Sequence, residues 1–187
     1  MTDALSAVRV RSEVSWQEIP PPARLAPYTW AASADLFTES EDEVASGKFI
    51  VLHDPAGNDS WDGDVRVVTL MQAQLEPEFA VESMLGDVAW SWVTESLESM
   101  GATAHALGCT ITRVVSQSYG ALAARPTSVD VEMRASWTPD DHQLAPHFAA
   151  WTAILAAAGG LPPRPMDLPQ PLTTAVADAP GPYPSQH

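Results

Sequence analysis

Two pairs of strand-like segments, each joined by a loop rich in turn-forming residues, constrain the fold of this chain most. Residues 48–53 and 64–75 carry β-branched and apolar side chains, and Pro, Gly, Asn and Asp cluster in the loop between them. Residues 103–119 and 127–137 form a second such pair around the loop GALAARP. Hairpins of this kind join antiparallel strands, so the pattern predicts a mainly antiparallel sheet.

The other segments alternate between strand-like and helical periodicity. Residues 13–19 predict a short strand, which the three prolines at 20–22 end. Helices are predicted at residues 3–11, 23–37, 38–47 and 77–101 and from Thr138 onward. The order is therefore α-β-α-β-β-α-β-β-α, which predicts an α+β fold with a sheet of about five strands and helices packed on it.

Capping signals and periodicity support three of these helices. Ser40 is followed three residues later by Glu43, which is a capping box. Thr138 and Pro139 are typical of a helix start. The apolar arc of residues 77–101 is wider than a one-sided surface helix needs, so we expect a central helix covered from two directions.

Length and composition predict one domain with a tail. A chain of 187 residues suits a single domain. Seven tryptophans and 45% hydrophobic residues exclude a chain disordered throughout. The last 26 residues hold eight of the 17 prolines and almost no large apolar side chains. We therefore expect a single α+β domain over residues 1–161 and a disordered Pro-rich tail over residues 162–187.

Charge and targeting signals limit the partners. Twenty-four acidic against nine basic residues give a net charge of −15, which argues against direct binding of nucleic acid or an anionic membrane. The N-terminus has no signal-peptide pattern, and no apolar stretch approaches the ~20 residues of a membrane span. A cytoplasmic location is expected. The single cysteine, Cys109, excludes an internal disulfide and a multi-thiolate zinc site.

No motif of catalysis or metal binding is evident. The loop after His53 is rich in Asp and Asn, but its spacing does not match a calcium loop, and ordinary turn chemistry explains it. The histidines lack HxxxH and HExxH spacing, and the chain has no GxSxG elbow and no glycine-rich phosphate loop. The sequence thus indicates no cofactor, no metal and no catalytic residue, and it favours a protein that is not an enzyme.

Five side chains are candidates for contact with a ligand or partner: His53, Trp61, Trp90, Arg113 and Arg134. The strand alternation places Arg113 among core-facing residues, where its guanidinium needs a carboxylate, backbone carbonyls or a bound anion. An internal salt bridge or a position at the edge of the sheet, with the charged end in solvent, is favoured over a ligand site. Trp90 belongs to a WSW run that indicates helix packing or, alternatively, an aromatic anchor for a partner.

The first hairpin is apolar on both faces, which predicts a cover on each side. One face carries Phe49, Val51, Val65 and Val67, and the other carries Ile50, Leu52, Val68 and Leu70. Two helical layers of this chain would cover both faces. A helical layer and a partner subunit would do so as well, and that arrangement predicts a homodimer or a complex with another protein.

Several longer motifs resemble a known family. They include EIPPPARLAPY at 18–28, GKFIVLHDPAGNDSWDGDVRVVT at 47–69 and AWSWVTESL at 89–97. Together with LEPE, RASWTP and GLPP further along, they resemble an actinobacterial family known as domain of unknown function number three thousand, over about residues 8–163. The resemblance implies a bacterial protein with no assigned activity, cofactor or catalytic residue. It also implies a ribonuclease D homologue, encoded beside some members, as a partner.

Two functions of different classes agree with these features. The first is a non-catalytic, acidic interaction or chaperone-like protein that binds another protein and forms a homodimer. The alternative is a small-ligand binder or enzyme with a pocket near Arg113 and His53. An exposed apolar patch would favour the first function, and a concave pocket with converging polar groups would favour the second.

Overall fold

The computed structural model describes residue 5 and residues 7–38 and 42–162. Six strands and two 15-residue helices follow one another in this part of the chain: β1 (Val14–Glu18), β2 (Tyr28–Phe37), β3 (Glu43–Asn58), β4 (Gly63–Leu75), α1 (Leu85–Ser99), β5 (Ala104–Ser116), β6 (Ser128–Pro139) and α2 (Leu144–Ala158). Short 3-10 turns at Pro77–Ala80 and Gly120–Leu122 complete the described elements.

All six strands form one sheet in the order β1-β2-β3-β4-β6-β5. Each neighbouring pair is antiparallel, from β1 with β2 to β5 with β6. The α+β fold and both predicted hairpins are therefore confirmed, with six strands where the sequence predicted about five. The long loop between β5 and β6 and the insertion of α1 between β4 and β5 place β6, not β5, beside β4.

The sixth strand lies where a helix was predicted, so the helix over residues 23–37 is wrong. Strand β2 alternates between an apolar side with Trp30, Ala34 and Leu36 and a polar side with Ser33 and Asp35. That alternation has the period of a strand. Its alanines favour a helix locally, but pairing with β1 and β3 on both sides decides the structure.

Three further helix predictions need correction. Residues 43–47 of the predicted acidic helix belong to β3, and residues 39–41 lie outside the described part. Of the helix predicted over residues 3–11, Leu5 is helical, whereas residues 7–11 form a turn and an irregular segment. Thr138 and Pro139 still belong to β6, because its pairing with β5 continues to the end of the strand, and the helix begins at Leu144.

Both helices pack on the same face of the sheet. Helix α2 contacts β2, β3 and β4, and α1 contacts α2 and β5. Phe49, Phe148 and Trp151 meet in the middle of this core with ring centroids 5.3–5.5 Å apart. Helix α1 buries one stripe only, formed by Leu85, Ala89, Val93 and Leu97. The expectation of a central helix covered from two directions is therefore wrong.

Close backbone approach fixes the position of α2. A Cβ atom on Gly47 of β3 would lie 3.0 Å from the Leu70 carbonyl oxygen and 3.4 Å from the Trp151 ring. A Cβ atom on Gly159, the residue after α2, would overlap the Leu36 side chain. Glycine at these two positions lets the helix lie directly on β2 and β3.

Candidate functional site

The strand register separates the two residues that the sequence placed beside one pocket. His53 of β3 is opposite Val65 near one end of the sheet. Arg113 of β5 lies in another row of paired residues, which runs through Val131 of β6 and Ala73 of β4 to Ala45 of β3. Eight residues of β3 separate His53 from Ala45, which corresponds to about 27 Å at ~3.4 Å per residue. A single pocket near both His53 and Arg113 is therefore wrong.

Arg113 lies at the surface and not among the core residues, and it binds backbone carbonyls. Its Nη1 atom donates hydrogen bonds to the carbonyl oxygens of Phe79 (3.3 Å) and Glu82 (2.5 Å). Of the partners that the sequence allowed, backbone carbonyls are the ones observed. The guanidinium fastens the segment before α1 to the end of β5.

The other candidates lie apart from one another. Trp61 lies in the β3–β4 loop, and its carbonyl accepts the hydrogen bond from Thr138. Trp90 is exposed on α1. Arg134 lies on β6 and forms an ion pair with Glu132 at 2.7 Å. Sequence spacing could not show this separation, because it depends on the order of strands in the sheet.

One end of the sheet gathers three histidines and three aspartates; we call it the histidine end. It consists of His53, His105, His142, Asp62, Asp64 and Asp140. These residues come from the β3–β4 hairpin, the start of β5 and the segment between β6 and α2. The antiparallel order brings these three places together at one end. Only His53 of this group was a candidate from the sequence.

His105 bridges two segments with both ring nitrogens. Its Nδ1 atom lies 2.6 Å from Asp140 Oδ1, and its Nε2 atom lies 2.9 Å from the Asp62 carbonyl oxygen. Both partners can only accept hydrogen bonds, so both contacts are satisfied together only by the doubly protonated imidazolium. The bond to Asp62 and the Asp140 carboxylate accordingly raise the pKa of His105 above its usual range.

Asp64 receives contacts from the other two histidines. His142 Nε2 lies 3.0 and 3.2 Å from the two carboxylate oxygens, and His53 Nε2 lies 3.9 Å from Oδ2. The hydrogen bond from His142 lowers the pKa of Asp64 below its usual range. Tyr28 completes the cluster, with its ring centroid 5.8 Å from that of His53.

Strained backbone borders His105 on two sides. Asp62 and Ala106 have φ angles of 56° and 49°, a region that non-glycine residues rarely adopt. Arg66 holds this backbone in place through a hydrogen bond from Nη1 to the Ala106 carbonyl (2.8 Å). Its guanidinium also donates to Ser136 Oγ (2.7 Å) and Thr138 Oγ1 (3.0 Å). Hydrogen bonds thus join the three segments of the histidine end to one another.

The chemistry of these groups favours a structural role. Among the described residues, no group of three or more His, Cys, Asp or Glu side chains is placed to hold a metal ion. In the described part of the chain, the hydrogen bonds of the histidine rings run to carboxylates, a carbonyl and the indole of Trp137, and none of these bonds reaches a serine, threonine or cysteine side chain. Cys109 is half-buried, and burial raises the pKa of its thiol, which disfavours the reactive thiolate.

The sheet face opposite the helices differs from the helix-covered face; we call it the open face. Strand pairing places Ala31, Ile50, Val68 and Ser136 in one row across it. Leu52 and Leu70 lie in the adjacent rows. Ile50, Val68 and Leu70 are half-buried, while Ala31 and Leu52 are buried. Among the described elements, no helix lies against this face.

A groove on the described surface lies between the two helices. Its volume is about 730 Å³, and its walls include Trp92, Met100, Ala149, Ala153 and Leu161. Arg11 is its most buried charged group, and the guanidinium already donates to the Pro162 carbonyl (2.7 Å) and to Glu13 Oε1 (3.1 Å). This pairing holds the pKa of Glu13 at about 2. Two of the three nitrogens of the Arg11 guanidinium are thus engaged within the chain, whereas its Nε atom is buried without a hydrogen-bond partner.

Comparisons with other proteins complete the description. No helix in the described part of the chain has the length and apolar character needed to cross a membrane. Searches of curated proteins and of solved structures found no match. A family model described as "Protein of unknown function (DUF3000)" matches residues 1–167. This match spans most of the 187 residues, and the chain therefore belongs to the DUF3000 family.

Proposed function

We propose that this protein is a non-catalytic interaction protein that binds another protein chain through the open face and that forms a homodimer there. The observation that carries the proposal is the placement of both helices on one side of a sheet whose central hairpin, β3–β4, has apolar side chains on both sides. The half-buried Ile50, Val68 and Leu70 form a continuous apolar area in the middle of the open face. Such areas mark sites of protein–protein contact.

The charges around this apolar area favour a second copy of the same chain as the occupant. Arg66 lies one row from Ile50 towards the histidine end, and Lys48 and Arg134 lie one row from Ile50 in the other direction. Asp35 and Glu132 lie one row further from the histidine end than Lys48 and Arg134. In a two-fold symmetric pair with antiparallel open faces and the axis between the rows of Ile50 and Leu70, Arg66 of one copy would lie over the row of Asp35 and Glu132 of the other.

A small-ligand function has less support. The pocket expected near Arg113 and His53 is absent because those residues lie at opposite ends of the sheet. The groove between the helices has a suitable volume, but its buried guanidinium is already bonded to Glu13 and Pro162. The open face therefore supports the interaction function better.

Sedimentation of variants tests the proposal. The double variant Ile50→Glu, Leu70→Glu places two carboxylates in the middle of the open face. The matched control Leu25→Glu, Met84→Glu adds the same charge at two exposed positions outside that face. We expect wild type and control to sediment as dimers and the open-face variant as a folded monomer with an unchanged circular dichroism spectrum.

Two results would contradict the proposal. A wild type that is monomeric at 100 μM or above, about the range in which weak homodimers form, would exclude the dimer. An open-face variant that is still dimeric would place the interface elsewhere. Single variants at Leu70 alone keep the test decisive if the double variant unfolds, because Leu70 is half-buried.

A further inference from the structure

Exposed apolar side chains concentrate at a second place on the molecule. Twelve large apolar side chains in the described part are exposed to solvent, and nine of them fall within residues 79–90 and 114–122. Val81 is 89% exposed, Tyr119 76% and Met84 60%. This is more than the scattered single residues that a protein surface normally shows.

Arg113 brings the two segments together in space. It follows Thr112 in β5 and directly precedes the exposed Val114 and Val115, while its guanidinium binds the carbonyls of Phe79 and Glu82. The segment before α1 is thereby held against the last residues of β5. We call the combined area the Arg113 surface; its apolar members are Phe79, Val81, Met84, Val88, Val115, Tyr119 and Leu122.

The charge of this area has one sign along α1 and the segment that precedes it. Residues 75–100 contain six carboxylates and no lysine or arginine: Glu76, Glu78, Glu82, Asp87, Glu95 and Glu98. Glu82 lies between Val81 and Met84, and Asp87 directly precedes Val88. Apolar side chains are therefore interleaved with acidic ones before and at the start of α1, and the guanidinium of Arg113, which reaches this part, is engaged with backbone carbonyls.

We propose that the Arg113 surface docks a basic amphipathic helix of another protein. The apolar side of such a helix would cover Val81, Met84 and Val88, and its lysines or arginines would face the carboxylates between them. Met84 suits this role because its unbranched side chain adapts to different partners. Met84 and Val88 are one helical turn apart, so together with Val81 they offer a ridge against which a helix can pack.

This surface is separate from the proposed dimer interface. Val81, Met84 and Val88 belong to the helical layer and the segment before it, whereas Ile50, Val68 and Leu70 lie on the opposite side of the sheet. A dimer formed through the open face would leave the Arg113 surface of each copy accessible. The two proposals therefore succeed or fail independently.

Binding of a synthetic peptide tests the inference. The probe is a fluorescein-labelled 14-residue amphipathic helix of leucine and lysine, and the reference peptide has glutamate in place of lysine. The surface variant is Val81→Ser, Met84→Ser, and the matched control is Leu25→Ser, Tyr28→Ser, at two other exposed apolar positions. Fluorescence anisotropy at 0.15 M salt measures the Kd of each pair.

We expect the wild type and the control to bind the lysine peptide with Kd values within about twofold of each other. The surface variant should bind it at least about tenfold more weakly, which corresponds to a loss of about 1.4 kcal/mol of binding free energy. The open-face variant Ile50→Glu, Leu70→Glu should retain binding. Equal affinity of the surface variant and the control would show that net charge alone attracts the peptide, and it would overturn the inference. Absence of binding by the wild type, or equal binding of the glutamate peptide, would overturn it as well.

Discussion

His105 shows how one side chain can join two segments by carrying two protons. The ring contacts a carboxylate and a carbonyl, and a neutral imidazole has only one N–H to offer them. Because the folded state raises the pKa of His105, its contribution to stability is fully present below the unfolded value of about 6.5. That contribution is lost as the pH rises through the folded-state pKa.

A histidine titration followed by NMR checks this prediction. We expect the His105 ring to titrate above 6.5 in the wild type and closer to 6.5 in Asp140→Asn, which removes the carboxylate 2.6 Å away. The free energy of unfolding should fall more at pH 6 than at pH 8 on this substitution. A His105 ring that titrates below 6.5, or an equal loss of stability at both pH values, would contradict the assignment.

At the scale of the elements, the sequence predicted the hairpins and the long helix but not the second strand. The β3–β4 and β5–β6 pairs follow from runs of β-branched residues around loops rich in Gly, Pro, Asn and Asp, a local signal. In β2 the alternation of Trp30, Ala34 and Leu36 with Ser33 and Asp35 was also present, but alanine-rich composition favours a helix. Pairing with two neighbouring strands, which is not local, decided the structure.

The glycine after α2 gives a prediction at this scale. Gly159→Ala should lower the free energy of unfolding by about 1–3 kcal/mol, because its Cβ atom would overlap Leu36, which is fully buried and cannot move. Gly86→Ala, at the start of α1 with open space around it, should raise the free energy by about 0.4–1 kcal/mol. Urea denaturation measures both. If Gly159→Ala is as stable as the wild type, α2 does not lie as close to β2 as described.

The same difference between local and long-range information explains which residues of the candidate site could be predicted from the sequence. His53 and Trp61 belong to one hairpin, which the sequence could show. The meeting of His105, Asp62 and Asp140 requires the order of β3, β4, β6 and β5, and residue spacing contains no such information. The sequence predicted a core position for Arg113 because strand alternation does not reveal where a sheet extends beyond the helices that cover it.

For the whole molecule, the structure has a helical layer on one side and an open face on the other. The acidic chain, with a net charge of −15, repels copies of itself at long range, so a homodimer requires local complementarity. Arg66 and the row of Asp35 and Glu132 on the open face provide it in an antiparallel arrangement. Apart from Pro162, the tail predicted over residues 162–187 lies outside the described residues, and the family match ends at residue 167.

The distance between two copies tests the dimer most directly. Spin labels would be attached at Ser33→Cys on the open face or at Gly86→Cys on α1, each with Cys109→Ser to remove the single native thiol. Pulsed electron paramagnetic resonance then measures the distance between the labels of the two copies.

Two sheets packed face to face are about 10 Å apart, and each helical layer adds about 10 Å on the outside. We therefore predict a shorter distance between the Ser33 labels than between the Gly86 labels. A shorter distance at Gly86, or no measurable coupling at either position, would contradict a dimer formed through the open face.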